Sequence, residues 1–302
     1  MLELIKKWTG LFLLLAVAFG FIFPFFSILK PAMIPLLMIL LYCSFVRMKF
    51  KLDKFFRWEL ITFPLVCWVI LPPVVYYTSA WLGAELQTGF LLAIITPPAL
   101  ASPIIVALSK GDLEYTVANV TVFNLLSPLA FAMIPQIFLK NSTLNIDYQA
   151  IMLKVVFIIF IPLIVALLTN KTIKLKNFVL TKIDSYKVLI QMLLIVVAVG
   201  TSANKIKALD KVNLIQIVLY TYALAGFLYL LGWIIARSRQ MKFTLPVTLG
   251  HKNTLLTITI GLSSFSELTA LPAVFYIIAH HTFNGIVISM RSVKKEKEIN
   301  NY

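Results

Sequence analysis

Ten apolar runs, most of them long enough to cross a bilayer, dominate this chain. They fall at residues 11–28, 32–46, 59–79, 89–108, 115–138, 151–169, 186–203, 213–236, 243–264 and 270–290. A helix needs about 20 apolar residues to cross the hydrocarbon core. Lipid offers no partner for open backbone groups, so such spans must be helical. The pattern predicts an all-α polytopic membrane protein of ten spans, forming a single transmembrane unit over residues 1–302. Charged residues make up only 13% of the chain, against about 25% in a soluble domain. The run at 11–28 lacks a small-residue cleavage site and is expected to stay as the first span. The run at 32–46 is short and implies little tilt or a locally thin bilayer. Cys43 and Cys67 sit in apolar runs and read as buried spectators rather than a disulfide framework.

The formal net charge is +15, and its distribution argues against nucleic acid as the partner. With the N-terminus in the cytoplasm, 20 of the 27 lysines and arginines fall on the inside and 6 on the outside, while Lys252 lies within a span. The dense clusters are Lys6–Lys7, Arg47 to Arg57, Lys171 to Lys187, Arg237 to Lys242 and Arg291 to Lys297. This is the positive-inside pattern. It predicts a multi-pass protein of the inner (cytoplasmic) membrane with both termini cytoplasmic and the lipid bilayer as its surroundings.

Spans 4 and 9 differ from the rest. Span 4 carries Pro97, Pro98 and Pro103 near its middle, and span 9 carries Pro246, Gly250 and the polar run His251, Lys252, Asn253 and Thr254. Unwound backbone at membrane depth is tolerated only where protein or a watery cavity satisfies it. With five spans per half, span 4 corresponds to span 9. An odd number of spans per half inserts the two halves with opposite orientation, giving inverted repeats of approximately 1–145 and 146–302. Interrupted segments at matching positions of two halves point to a transporter's binding site. Proline kinks without function are the plainer alternative.

Lys252 is the most informative residue. A lysine at mid-span costs a few kcal/mol even on lenient insertion scales, so it must face a cavity, a counter-ion or a bound anion. The twelve acidic residues all fall at or near predicted loops, so none is positioned to pair with it. Asn119, Thr121 and Asn124 in span 5 and His280, His281 and Asn284 in span 10 are the other polar groups at depth. His281 and Asn284 are three apart and share a helix face. Interhelical hydrogen bonding accounts for these groups as well as a site does. His280 and His281 are adjacent, so they point in different directions and lack metal spacing. No HExxH, GxSxG, P-loop or Asp-rich diphosphate motif occurs, which argues against an enzyme. No metal or other cofactor is expected.

Several stretches together resemble the bile acid:sodium symporter family. They are Thr96-Pro-Pro-Ala-Leu-Ala-Ser-Pro103, Ala107-Leu-Ser-Lys-Gly-Asp112, Thr116-Val-Ala and Leu125-Leu-Ser-Pro128, followed by Gly250-His-Lys-Asn-Thr254 and Ala270-Leu-Pro-Ala273. The resemblance is one of pattern and order over essentially the whole chain. It implies a core of spans 3–5 and 8–10, with spans 4 and 9 crossing at unwound centres, and a panel of spans 1, 2, 6 and 7. It also implies alternating-access transport of organic anions driven by sodium, with the substrate beside the crossover.

The family's sodium ligands carry over poorly. Ser102-Pro103 stands where the family has Ser-Asn, Thr248 where it has a glutamate, and Lys252 where it has a glutamine. Val120 replaces a threonine, and a glutamine of the third helix falls near Cys67 or Trp68. Thr116 and Ser102 keep their hydroxyls and Asn253 its amide, leaving Ser102, Thr116, Thr248 and Lys252 as remnants of the ion site. The expectation is a carrier of a small organic anion in which Lys252 replaces sodium, working as a uniporter or coupled to protons. The expected substrate and crossover residues are Thr96, Pro97, Pro98, Ser102, Pro103, Thr248, Gly250, His251, Lys252, Asn253, Thr254, His281 and Asn284. A sodium-coupled symporter of the same fold and a non-transporting receptor or regulatory protein are the alternatives.

Overall fold

The computed structural model describes residues 9–48, 58–140 and 146–299. The basic residues Lys6, Lys7, Lys49, Lys51, Lys54 and Arg57, which contribute to the sidedness expectation, lie outside the described residues.

The described chain is helical, without a β-strand. Its helices are α1 (Thr9–Ile22), α2 (Met33–Arg47), α3 (Trp58–Thr78), α4 (Ala84–Ile95), α5 (Ser102–Leu108), α6 (Leu113–Leu139) and α7 (Tyr148–Lys171). They continue with α8 (Ile173–Phe178), α9 (Lys187–Ala208), α10 (Lys211–Ile235), α11 (Leu245–Gly250), α12 (Thr254–Ser264) and α13 (Glu267–Ile299). Asp112, Asp147 and Asp210 cap α6, α7 and α10, each accepting a backbone N–H three residues on.

Seven helical stretches among the described residues are long and apolar enough to cross a membrane. They are Pro24–Arg47, Leu60–Thr78, Leu113–Leu139, Tyr148–Lys171, Ile173–Ala208, Lys211–Ile235 and Glu267–Met290. Of three shorter apolar helices, Leu11–Ile22 and Thr254–Ser264 fall within predicted spans 1 and 9, and Ala84–Ile95 overlaps span 4 but begins five residues earlier. The first span differs from expectation in its end. α1 stops at Ile22, and a tighter 3-10 stretch over Pro24–Ala32 leads straight into α2. Pro24 and Pro31 lack the N–H that an α-helix would need there.

Two sets of helices pack among themselves and also meet each other, most extensively where α6 lies against α7. α9 lies against α1, α2 and the 3-10 stretch, and α2 lies against α7. In the other set α4 packs on α3, α6 and α13, while α10, α11, α12 and α13 pack together. The α1–α9 contact is close because its residues are small. A Cβ placed on Gly20 would come within 2.6 Å of the Val196 carbonyl oxygen, and Gly200 faces the same turn of α1. Large apolar side chains such as Ile28, Val69, Ile137, Leu219 and Ile234 face outward, whereas Asn119, Asn124, Thr248 and Lys252 are buried. Such a surface suits lipid.

Candidate functional site

Spans 4 and 9 are each broken, and their breaks touch. The chain is unwound at 96–101 between α4 and α5 and at 251–253 between α11 and α12. Pro98 lies opposite Lys252 in a short antiparallel bridge. The Ala99 N–H donates to the His251 carbonyl at 2.8 Å, and the Asn253 N–H donates to the Pro97 carbonyl at 2.9 Å. Pro97 and Pro98 have no N–H to give, so this side of the exchange uses the Pro97 carbonyl as acceptor and the Ala99 N–H as donor. Each break thus satisfies backbone groups that the other leaves open. Gly250 is needed at the end of α11, because a Cβ there would stand 2.1 Å from the Tyr229 ring of α10. The Gly250 carbonyl in turn accepts the Tyr276 hydroxyl at 2.9 Å.

Lys252 is buried, with 3% of its surface exposed. Its ammonium donates to the carbonyls of Ile94 at 3.0 Å and Thr96 at 3.2 Å. These oxygens end α4, where the last carbonyls of a helix have no partner of their own. Other groups satisfy the rest of that end. Trp68 Nε1 donates to the Ile95 carbonyl at 2.8 Å, and the Thr96 hydroxyl donates to the Leu92 carbonyl at 2.7 Å. A helix C-terminus carries about half a negative charge. The lysine is therefore accommodated by oriented carbonyls rather than by a carboxylate.

A cavity of about 410 Å³ opens beside this crossing. Its walls come from α1, α2 and α9 on one side and from α5, the 251–253 break, α12 and α13 on the other. All three histidines of the chain line it. The His251 ring lies 4.7 Å from that of His280 and 5.9 Å from that of His281, and those two are 4.5 Å apart. His251 Nδ1 meets the Ser102 hydroxyl at 3.2 Å. His280 Nδ1 and His281 Nε2 are buried without a hydrogen-bond partner. Groups of this kind cost about 1–3 kcal/mol each when left unmet. A second cavity of about 640 Å³ adjoins the first, sharing Ser44, Arg47, Leu100, Ile104, Leu108 and Lys187 as wall residues.

The residues singled out in the sequence do not all gather in one place. Thr96, Pro97, Pro98, Ser102, Gly250, His251, Lys252, Asn253 and Thr254 gather at the crossing, where Asn253 also caps α12. Pro103 begins α5 and lines the second cavity. Thr116 and Thr248 are buried, but their hydroxyls donate to carbonyls one turn back in their own helices. Asn284 does not share the cavity with His281, since its Oδ1 accepts the Tyr229 hydroxyl at 2.6 Å and it lies outside the cavity lining. The adjacent histidines, expected to diverge, both face the cavity. Asn119 is buried with both side-chain polar atoms unpaired. Among the described residues no group of three His, Cys, Asp or Glu side chains is placed to hold a metal ion, the histidine cluster included.

Sequence reasoning missed Trp68 as a helix-end donor and the trio Arg47, Asp184 and Lys187 on the cavity wall. Arg47 pairs with Asp184, which is 92% buried although it was read as a loop acid. The signal was Asp184 standing three residues before Lys187 at the start of a span, with the last arginine of another span available to join them.

A profile of the sodium bile acid symporter family matches residues 31–209, more than half of the chain. The chain belongs to the sodium bile acid symporter family. YocS of Bacillus subtilis (strain 168), described as an uncharacterized sodium-dependent transporter, is 22% identical over 251 residues, covering 80% of this chain and 76% of YocS. YbaS of the same organism, described as an uncharacterized protein, is 24% identical over 192 residues, or 62% of each chain. Family membership and the apolar helices make this chain a multi-pass membrane transporter. The sodium bile acid symporter match runs from the 3-10 stretch through α9 and so includes the first of the two breaks.

Proposed function

We propose that this protein carries a small organic anion by alternating access without sodium, the Lys252 ammonium taking the ion's place. The observation that carries the reading is the pair of bonds from Lys252 to the Ile94 and Thr96 carbonyls. Backbone carbonyls at a helix end are ligands for a hard cation, and here a tethered cation already occupies them. By the resemblance, Thr248 and Lys252 stand where the family's ion-site glutamate and glutamine are expected. Without that carboxylate, and with an added ammonium, the residues present do not fit a sodium ion. The anion would bind in the 410 Å³ cavity, beside the histidines and the crossing that line it.

The same reading assigns the two packing sets to moving parts. α1, α2, α7 and α9 form the panel, and α3 to α6 with α10 to α13 form the core. The three shorter apolar helices bring the crossings to ten, in inverted repeats of approximately 1–145 and 146–302 whose broken members meet at the Pro98–Lys252 bridge. The charge distribution puts the protein in the cytoplasmic membrane with both termini inside, so the cavity end at Arg47 and Lys187 faces the cytoplasm. At the opposite end Lys154 of α7 donates to the Ser263 carbonyl and to the Ser264 hydroxyl of α12, holding panel to core.

The description of YocS as sodium-dependent favours a second reading, a sodium-coupled symporter. Counterflow uptake of labelled organic anions into proteoliposomes, with sodium or with potassium alone, separates the two. Uptake indifferent to sodium and lost in Lys252→Gln supports the tethered cation. Uptake that requires sodium overturns it.

A further inference from the structure

The cavity beside the crossing carries more positive charge than a monoanion needs. Its charged wall residues are Arg47, Lys187 and Lys252 against Asp184, a formal excess of two. These charges lie at two ends. Lys252 and the histidines belong to the crossing, whereas Arg47 and Lys187 belong to α2 and α9.

The two panel helices present matching stripes to the cavity. On α2 Leu40, Ser44 and Arg47 line it, with Leu41 beside them, and on α9 Ile195, Gln191 and Lys187 line it, with Val188 beside them. Spacings of three and four keep each stripe on one helix face. Both stripes run in the same order, from apolar through neutral polar to cationic. At 1.5 Å per residue each is about 10–12 Å long. Asp184 engages Arg47 and leaves its Oδ1 without a partner, so the trio keeps one net positive charge at the far end of the stripes.

Arg47 is half exposed and already paired with Asp184, so the one positive charge left in excess is what a second carboxylate would balance. Arg47 and Lys187 end stripes about 10–12 Å long, more than a single carboxylate spans. We propose that the transported anion is a linear dicarboxylate, one carboxylate at the histidine cluster and the other between Arg47 and Lys187. The methylene chain lies along the leucine and isoleucine wall between them. This rests on the reading of the protein as an anion carrier and names its substrate class. Malonate is too short to reach both ends, and an adipate-length diacid suits the stripe.

The test is sodium-free exchange in proteoliposomes loaded with unlabelled adipate, pyruvate or taurocholate and supplied with the same labelled compound outside. Exchange of adipate in preference to pyruvate and taurocholate is expected. Lys187→Gln lowers the apparent affinity for adipate by about tenfold, the loss of one charge-assisted hydrogen bond, and Lys187→Arg restores it. Arg47→Gln with Asp184→Asn, which leaves the trio's net charge unchanged, does the same without stranding a buried carboxylate. Exchange of pyruvate or taurocholate without adipate overturns the dicarboxylate and leaves the carrier reading standing. Adipate exchange indifferent to both sets of variants overturns the placement of the second carboxylate. If none of the three compounds exchanges, the carrier reading itself falls.

Discussion

Replacing Lys252 with methionine removes the ammonium and keeps most of the side chain's bulk, so the change isolates the two bonds to α4. Losing them leaves the Ile94 and Thr96 carbonyls open. At about 1–3 kcal/mol for each buried acceptor, the cost is about 2–6 kcal/mol. Against this stands relief from burying a lysine at mid-membrane, about 2.5–3.5 kcal/mol. The balance centres near 1 kcal/mol of destabilisation. A lysine buried without those bonds would give the opposite sign, because methionine would bring only the relief. Thermal unfolding in detergent, followed by reaction of a thiol-reactive dye with Cys43 and Cys67, reads the difference. At about 2–4 °C per kcal/mol, the variant should melt a few degrees below the native protein or level with it. A melting point more than about 5 °C higher would show that the ammonium is not bonded to the end of α4.

Three further outcomes follow from the same geometry. Thr248→Glu combined with Lys252→Gln returns a carboxylate and an amide to the ion-site positions. Its melting point should rise with sodium but not potassium, by about 2.7 kcal/mol of stabilisation at a hundredfold excess over the dissociation constant; equal behaviour in the two salts counts against the site. Gly250→Ala drives a methyl into the Tyr229 ring and should cost about 3 kcal/mol or more, seen as poor yield and a lowered melting point. Trimming Tyr229 to alanine in that background should recover part of the loss, and no recovery would argue against the clash. Lys154→Ala frees α7 from α12, so a cysteine placed near Ser264 should become more accessible from outside, and unchanged labelling would show that this contact does not hold the outer end.

Much of the architecture was readable because lipid leaves few options. Apolar run length located α6, α7, α9 and α10 to within five residues, and aspartates mark the starts of α6, α7 and α10. The breaks were located by their polar and proline content, yet proline alone does not make a break. Pro72 and Pro73 stand inside an unbroken α3, as the pair Pro97 and Pro98 does not. The difference is tertiary: a second broken strand lies opposite Pro98 to accept and donate, and nothing local in the sequence announces it. Lys252 was legible as an anomaly, but its partners were not, since backbone carbonyls have no sequence signature. The same holds for Arg47, Asp184 and Lys187. Each reads as an ordinary charge at the edge of a span, and only the packing of α2 against α9 brings them to one wall. The histidines show a limit of helical-wheel reasoning. Adjacent residues diverge by about 100° on an ideal wheel, but long flexible rings beside a cavity can still turn toward it.

The reciprocal bridge at the crossing has a consequence for how the protein is made. Thr96 and Lys252, which join across it, are 156 residues apart in the chain. At about 5–20 residues per second of synthesis, the first break waits roughly 8–30 s before its partner leaves the ribosome. During that interval the Ile94, Thr96 and Pro97 carbonyls and the Ala99 N–H lack the partners they have in the finished protein. The first half must therefore enter the membrane with its break facing water, the insertion machinery or a neighbouring helix. Sequence changes that speed or stall synthesis between residues 100 and 250 should then alter the yield of folded protein without touching its final stability.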